Sequence, residues 1–214
     1  MKDFRIDNKG SGRIFSNRLL ERLTRTHFTI PVVLYYLVGI ATLSYAVWSP
    51  LISLSHFFWM FPLGMIVFSF VEYLIHRFVF HFHAETEHAK QIQYSIHGIH
   101  HEFPRDKDRL VMPPIMSVVL ASLFLILFLG LFGLNGWIFF GGFMSGYSTY
   151  LVIHYAVHAW RPPDNFLKYL WKHHSLHHYA GTDVAFAVSM PLWDMLFGTM
   201  PKKTKSARLD ASQK

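Results

Sequence analysis

Two long tracts without a charged residue constrain this chain more than any other feature of its sequence. No Asp, Glu, Lys or Arg occurs from Thr26 to Val71 or from Met112 to Trp160. Each tract is long enough for two passes of about 20 residues, the length that a helix needs to cross about 30 Å of hydrocarbon. The alternative is a buried helical hairpin in a soluble protein, but uncharged tracts of this length favour membrane spans. The sequence therefore predicts an all-α integral membrane protein.

Each tract also has turn chemistry near its middle. The first contains Ser49–Pro50, and the second contains Gly133-Leu-Asn-Gly136. Proline and the Gly/Asn combination both favour a chain reversal. We therefore expect two hairpins of transmembrane helices, with spans at Ile30–Trp48, Leu51–Val71, Pro113–Phe132 and Trp137–Val157.

The distribution of charge predicts the orientation of these spans. Lys and Arg residues precede the first tract, lie between the tracts and follow the second, whereas both turns inside the hairpins are uncharged. By the positive-inside rule, both termini and the segment between the hairpins face the cytoplasm, at a bacterial inner membrane or the endoplasmic reticulum. The net charge of +7 then fits contact with anionic lipid headgroups and needs no nucleic acid. Residues 1–214 are expected to form a single domain, with a basic amphipathic segment at 1–26 and a polar tail at 202–214.

Ten histidines fall into four tight groups, all expected on the same cytoplasmic side in a helical cap. The groups are the pairs His76/His81 and His154/His158 and the triplets His97/His100/His101 and His174/His177/His178. Residues three and four apart share a helix face, so each triplet is expected to aim its rings at one point. Imidazole is the commonest metal ligand, and ten rings suffice for two ions with about five ligands each. The chain has no cysteine, which excludes thiolate sites within it.

Two chemistries fit a shell of neutral imidazoles beside a membrane. One is oxygen activation at two irons, which oxidises an unactivated C–H bond; the other is hydrolysis by zinc-activated water. The pattern H-E-x-x-H, typical of zinc hydrolases, is absent, so oxygen chemistry accounts better for so many neutral ligands. Glu72 either orients a ligand imidazole or pairs with Arg77, and Asp194 has the same two interpretations. His173 precedes the last triplet, and the helical spacing favours His174 over it as a ligand.

The histidine spacing resembles that of a known family. Glu72-Tyr73-x-x-His76-Arg77-x-x-x-His81 followed by His97-Gly-x-His100-His101 is similar to the fatty acid hydroxylase superfamily, which also includes sterol desaturases and carotenoid hydroxylases. The segment from His100 through Arg109-Leu-Val-Met-Pro-Pro114 most resembles the fatty acid 2-hydroxylases. His174-x-x-His177-His178-Tyr179 and Trp193-Asp194-x-x-Phe-Gly-Thr199 match as well.

The resemblance implies a ligand set, cofactors and partners. The ligands fall on His76, His81, His97, His100, His101, His154, His158, His174, His177 and His178. Two iron ions, with zinc possible in purified protein, would use O2 as co-substrate to hydroxylate a lipid acyl chain at position 2; a sterol or carotenoid oxidase is the alternative within the superfamily. Several relatives carry a fused cytochrome b5 domain that is absent here, so the resemblance implies a separate electron donor of the ferredoxin or cytochrome b5 type. In those relatives an aspartate follows the tyrosine that matches Tyr150, whereas this chain has Leu151.

Overall fold

The structure is a computed structural model that describes residues 5–51, 54–180 and 183–201. In chain order the α-helices are α1 (Arg18–Leu23), α2 (Thr29–Trp48), α3 (Leu54–Leu74), α4 (Glu87–Gln93), α5 (Ile99–Glu102), α6 (Pro114–Phe132), α7 (Gly136–Ala159), α8 (Lys168–Tyr179) and α9 (Leu192–Leu196). Two π-helical turns, Ile75–Phe80 and Tyr94–Gly98, continue α3 and α4, and 3-10 turns lie at Lys107–Arg109 and Gly133–Asn135. No β-strand occurs in these described ranges. The prediction of an all-α chain is confirmed.

Three stretches are long and apolar enough to cross a membrane. They are Thr29–Trp48, Ser55–Phe80 and the 53-residue stretch Lys107–Ala159. The last contains both α6 and α7, which are separated where Gly133 adopts a φ of 56°. A positive φ is readily available to glycine and ends the helix, so the chain breaks at the predicted turn. The bounds of α2, α3, α6 and α7 lie within three residues of the four ranges expected from the sequence.

Helix α7 is the centre of the bundle and packs against α2, α3 and α6. Close approach to α3 depends on glycine, since a Cβ at Gly142 would lie 2.0 Å from the carbonyl oxygen of Phe61. Small residues at such positions let membrane helices approach closely. Around this contact, Phe68, Phe128 and Phe143 form part of one buried aromatic cluster. The tight contact fixes the first half of α7 against the first half of α3.

The outer faces of the long helices expose apolar side chains. On α6, Ile115, Leu123, Ile126 and Leu131 are each more than half exposed. Exposed apolar surface of this extent marks a membrane-contacting region. These faces are the lipid-facing surface expected for a membrane protein.

The N-terminal segment has little helix and is tied to the rest of the protein by polar contacts. Only Arg18–Leu23 is helical in residues 5–26. The apolar residues Leu19, Leu20 and Leu23 are exposed, as in a helix that lies in a membrane interface. Buried Arg109 ties this segment to the rest of the protein through Glu21 and the carbonyl oxygen of Gly12. The predicted polar tail at 202–214 lies outside the described residues.

Candidate metal centre

The two π-helical turns carry two of the ten histidines, and a third follows the first turn directly. His76 lies in the turn Ile75–Phe80, with His81 directly after it, and His97 lies in the turn Tyr94–Gly98. A π-helical turn has i→i+5 hydrogen bonds, so residues five apart come close together, which an ordinary α-helix does not achieve. The ring centroids of His76 and His81 are 5.1 Å apart. This local geometry explains how a pair with spacing five serves one site.

Five histidines form a first group, defined here as His76, His81, His97, His101 and His177. One ring nitrogen from each lies within 4.8 Å of those of the other four. His97 Nε2 is 3.1 Å from the Nε2 atoms of both His76 and His101. His177 Nε2 is 3.1 Å from His81 Nε2 and 3.2 Å from His101 Nε2. The rings come from the ends of α3, α4, α5 and α8.

A second group consists of His100, His154, His158 and His174, with His178 beside it. Nitrogens of the first four lie within 4.8 Å of one another. His154 Nε2 is 3.2 Å from His100 Nε2, and His174 Nε2 is 2.8 Å from His158 Nε2 and 3.1 Å from His178 Nε2. The structure thus brings all ten predicted residues into two adjacent groups.

The triplets do not aim at one point each, contrary to the sequence-based expectation. His97 and His101 belong to the first group, whereas His100 between them belongs to the second. On α8, His177 belongs to the first group and His174 to the second. Residues at i+3 and i+4 diverge by roughly 100° around the helix axis, enough to face two neighbouring centres. Each triplet therefore links the two groups.

Backbone carbonyl groups set the tautomer of three rings. His76 Nδ1 contacts the carbonyl of Phe186, His177 Nδ1 lies 2.8 Å from that of Val184, and His154 Nδ1 lies 3.0 Å from that of Leu110. A carbonyl oxygen only accepts, so each Nδ1–H donates and each Nε2 carries a lone pair when the ring is neutral. Each of these Nε2 atoms lies 3.1–3.2 Å from the Nε2 atom of another histidine, and a cation bound between the nitrogens would satisfy this arrangement.

Burial favours the neutral form of the histidine rings that lie outside the membrane-length helices. It lowers the pKa of His177 to about 4, and the carbonyl of Val184 only partly opposes the shift. Burial and the neighbouring rings also lower the pKa values of His97, His100 and His174 well below the usual histidine value. A neutral imidazole is the form that ligates a metal.

The spacing of the nitrogens fits a shared cation. Two imidazole nitrogens that bind one ion at about 2.1 Å with a right angle between them are about 3 Å apart. The observed contacts of 3.1 and 3.2 Å between His177 Nε2 and its two partners match this separation. Nitrogen ligands of this kind suit iron, zinc or copper and do not favour calcium or magnesium. The residues present therefore fit metal binding.

Several contacts of the site were not found from the sequence. Leu110 lies in the segment Arg109–Pro114, yet it acts through its backbone carbonyl, for which a side-chain pattern gives no signal. Neither interpretation of Glu72 describes its contacts, because Glu72 accepts hydrogen bonds from Val188 and Ser189. Arg77 instead donates to Tyr73 Oη, over 2.7 Å.

His173 lies outside both groups and bonds to a carboxylate. Its Nε2 is 2.9 Å from Asp194 Oδ2, and both side chains are buried. Burial alone would raise the pKa of Asp194, but hydrogen bonds from His173, Thr199 and two backbone N–H groups lower it below its usual value. Asp194 therefore pairs with a histidine beside the ligand set, and within the described part of the chain no hydrogen bond joins it to a member of either group.

Two further features are the apolar surroundings of Leu151 and a small surface pocket beside the second group. Leu151 is buried with Val32 and Val111 in an apolar cluster. A small pocket lined by Arg105, His158, His174, Ser175, His178 and Tyr179, with Val157, gives the second group access to the surface.

Membrane-length apolar helices that end at two buried groups of neutral histidines define a membrane protein with a histidine-rich candidate metal centre. The family model for fatty acid hydroxylases matches residues 61–199, which include all ten histidines. The chain belongs to the fatty acid hydroxylase family, as the histidine spacing predicted.

Named relatives agree with this assignment. The chain is 34% identical over 204 residues to a dihydroceramide fatty acyl 2-hydroxylase of Arabidopsis thaliana, covering 95% of this chain and 85% of that protein. It is 35% identical over 219 residues to a ceramide very long chain fatty acid hydroxylase of Saccharomyces cerevisiae (92% and 54% covered), and 32% identical over 209 residues to the fatty acid 2-hydroxylase of Mus musculus (88% and 56%). The chain thus spans about half the length of the yeast and mouse relatives. A solved structure of full-length scs7p, with only its hydroxylase domain visible, superposes with a TM-score of 0.83 at 34% identity, covering 91% of this chain and 74% of that one.

Proposed function

We propose that this chain is a membrane hydroxylase that adds oxygen to carbon 2 of a lipid acyl chain, free or within a sphingolipid. The observation that carries the proposal is the pair of buried histidine groups at the ends of α3 and α7, two helices long and apolar enough to lie among lipid chains. The names of the plant, yeast and mouse relatives, all acyl hydroxylases, support the reaction and the substrate class. The reaction balances as a C–H bond, O2, two electrons and two protons giving an alcohol and water.

Ten imidazoles would hold two iron ions. His76, His81, His97, His101 and His177 would hold one, and His100, His154, His158, His174 and His178 the other. The irons would supply the oxygen chemistry needed to attack an unactivated C–H bond; zinc, which has no redox chemistry, would fill the same shell in purified protein without supporting hydroxylation. The chain's own part is to keep the ten rings neutral and oriented and to exclude water from them by burial.

The electrons would come from a separate carrier of the ferredoxin or cytochrome b5 type. No cysteine is present to hold an iron–sulfur cluster within the chain.

Four crossings fit the helices, with α2, α3, α6 and α7 as the spans. The break at Gly133–Asn135 divides the longest apolar stretch into two helices of 19 and 24 residues, each long enough for one crossing. The positive flanks favour cytoplasmic termini and a cytoplasmic metal centre in a cap formed by α4, α5, α8 and α9. Residues 1–214 would form one domain.

Lipid analysis of an expressing host tests the proposal. Cells that produce the wild-type chain should accumulate 2-hydroxy acyl lipids, detected by mass spectrometry after hydrolysis. His174→Ala removes a ring of the second group and should abolish them. His88→Ala is the matched control, since His88 is exposed on α4 and outside both groups.

Other outcomes would contradict the proposal. Altered sterols or carotenoids without 2-hydroxy acids would identify a different substrate within the superfamily. Product formation by the zinc-loaded protein without O2 would replace oxygenation by hydrolysis.

A further inference from the structure

The loop Val184–Ser189, called the 184–189 loop below, accepts hydrogen bonds from two histidine rings of the first group. Its carbonyl at Val184 accepts from His177 Nδ1 over 2.8 Å, and its carbonyl at Phe186 accepts from His76 Nδ1. Ala185 and Ala187 are fully buried between and beside these two positions. Any shift of this backbone would change the direction of both rings.

Asp194 binds the middle of the loop. Its Oδ1 accepts from the N–H of Phe186 and its Oδ2 from the N–H of Ala187, both over 2.9 Å. His173 Nε2 and Thr199 Oγ1 complete its partners, at 2.9 and 2.6 Å. The carboxylate is fully buried, so an ionised Asp194 depends on all four donors.

Glu72 of α3 binds the C-terminal end of the loop. Its Oε1 accepts from the N–H groups of Val188 over 2.7 Å and Ser189 over 3.2 Å, and its other oxygen accepts from the hydroxyl of Ser189. Glu72 lies one helical turn before His76, so the helix that presents the ligand ring also fixes the loop that orients it. Hydrogen bonds from backbone N–H groups to a carboxylate are stronger than neutral ones.

The loop is held in a conformation that it would not adopt freely. Ala185 has a φ of 57°, in the left-handed region. This region costs an L-residue with a Cβ free energy, and such strain persists only where the surrounding contacts enforce it. The N–H of Ala185 donates to the carbonyl of Thr199 over 2.9 Å, and the next four N–H groups donate to Asp194 and Glu72, which together enforce this conformation.

The second group lacks an equivalent support. Only His154 has a backbone acceptor, Leu110, whereas the Nδ1 atoms of His100, His174 and His178 are buried without a hydrogen-bond partner among the described residues. The two groups therefore differ in how firmly their rings are oriented.

We propose that Glu72 and Asp194 are positioning residues that fix the 184–189 loop, and through its two carbonyls the rings of His76 and His177, so that they set the metal affinity of the first group alone. This inference rests on the two-metal centre of the proposed function. Removing an outer partner of a ligand histidine typically weakens metal binding about 10–100-fold. Asp194→Asn replaces an acceptor oxygen by an NH2 group that faces donors, so it should reach that range, and Glu72→Gln should have a smaller effect in the same direction.

The test measures the affinity of each group separately with Zn²⁺ as a redox-silent probe. In a His158→Ala/His174→Ala background the remaining ion occupies the first group, and in a His81→Ala/His97→Ala background it occupies the second. Competition of purified protein against a chromophoric chelator gives the Kd in each background, with and without Asp194→Asn or Glu72→Gln. Ser148→Ala is the control, because it removes a buried hydrogen bond to Val32 within the helix bundle, away from the loop.

The expected result is a Kd about 10–100-fold weaker in the first background and unchanged in the second, with Ser148→Ala neutral in both. Equal weakening in both backgrounds would show a general effect on the fold and overturn the inference, as would no change in either. If Asp194→Asn does not fold, the Glu72→Gln values decide in the same way. Wild-type protein that binds fewer than two ions would contradict the metal centre of the proposed function, a result independent of how the variants compare.

Discussion

Gly142→Ala should damage both stability and activity although the residue lies far from any histidine in sequence. The added Cβ would lie 2.0 Å from the carbonyl oxygen and 2.7 Å from the carbonyl carbon of Phe61. Both atoms belong to the backbone of α3, so no side chain can rotate away and the two helices must separate. Overpacking of this kind costs about 1–3 kcal/mol. Because α3 and its π-helical turn carry His76 and α7 carries His154, the separation should also disturb the relative placement of the two groups.

Gly130→Ala provides the matched control in the same membrane-length stretch. Nothing lies within 4 Å of a Cβ at Gly130, and alanine in a helix interior is favoured over glycine by about 1 kcal/mol. The two variants should therefore differ by about 2–4 kcal/mol, which corresponds to roughly 5–15 °C in melting temperature for a chain of this size. Thermal unfolding of detergent-solubilised protein, with 2-hydroxy acyl product as the second readout, measures the difference. Equal melting temperatures would refute the close backbone contact.

Four further changes test other parts of the structure. Ala185→Gly should leave the melting temperature unchanged or raise it by a few degrees, because glycine adopts the positive φ without strain; a large decrease would contradict the strained loop. The metal-free protein should lose stability as the pH falls below 6.5 towards 4, because the unfolded chain takes up a proton on His177 before the folded chain does, its folded pKa being about 4; a melting temperature independent of pH over this range would argue against buried neutral rings. Arg109→Ala should cost about 1.5–3 kcal/mol, since it removes a charge-assisted hydrogen bond to Glu21, whose carboxylate keeps Arg25 and two backbone N–H groups as partners, and limited proteolysis should then cut before α1 sooner than in wild type. Removing metal should increase amide hydrogen exchange in α8 more than in α2 or α6, because four histidines are the only buried residues of α8; uniform exchange would show that α8 is held by other contacts.

The sequence predicted the long helices well because one physical requirement dominates them. A helix in hydrocarbon must be apolar along its whole length, and the uncharged tracts satisfy this without reference to the rest of the fold. The end of α6 before Gly133 and the end of α2 at Trp48 follow equally local rules of turn chemistry. The N-terminal segment was less predictable: its apolar residues have helical spacing, yet hydrogen bonds from Ile14 and Phe15 to Glu21 hold the chain before α1 in a non-helical path.

The grouping of the histidines was predicted, but their division between two groups was not. Helical spacing shows only that His97, His100 and His101 lie on neighbouring faces, and whether those faces meet one centre or two depends on which helices pack there. The structure brings α8 and the end of α3 to one side of His101 and α7 to His100. The division of a triplet between the two groups therefore depends on tertiary packing, and the histidine spacing within one segment does not predict it.

The orientation of the rings depends on groups that every sequence possesses. His76, His154 and His177 are each fixed by a backbone carbonyl, at Phe186, Leu110 and Val184. Since any residue offers a carbonyl, the side-chain types at these positions carry no signal for the role. The sequence signal for this role lies instead in the acidic residues Glu72 and Asp194, which bind the backbone of the loop that carries two of these carbonyl groups. A buried carboxylate is costly unless several donors satisfy it, so an acidic residue beside a histidine motif in an otherwise apolar segment indicates a backbone segment that must be held in place.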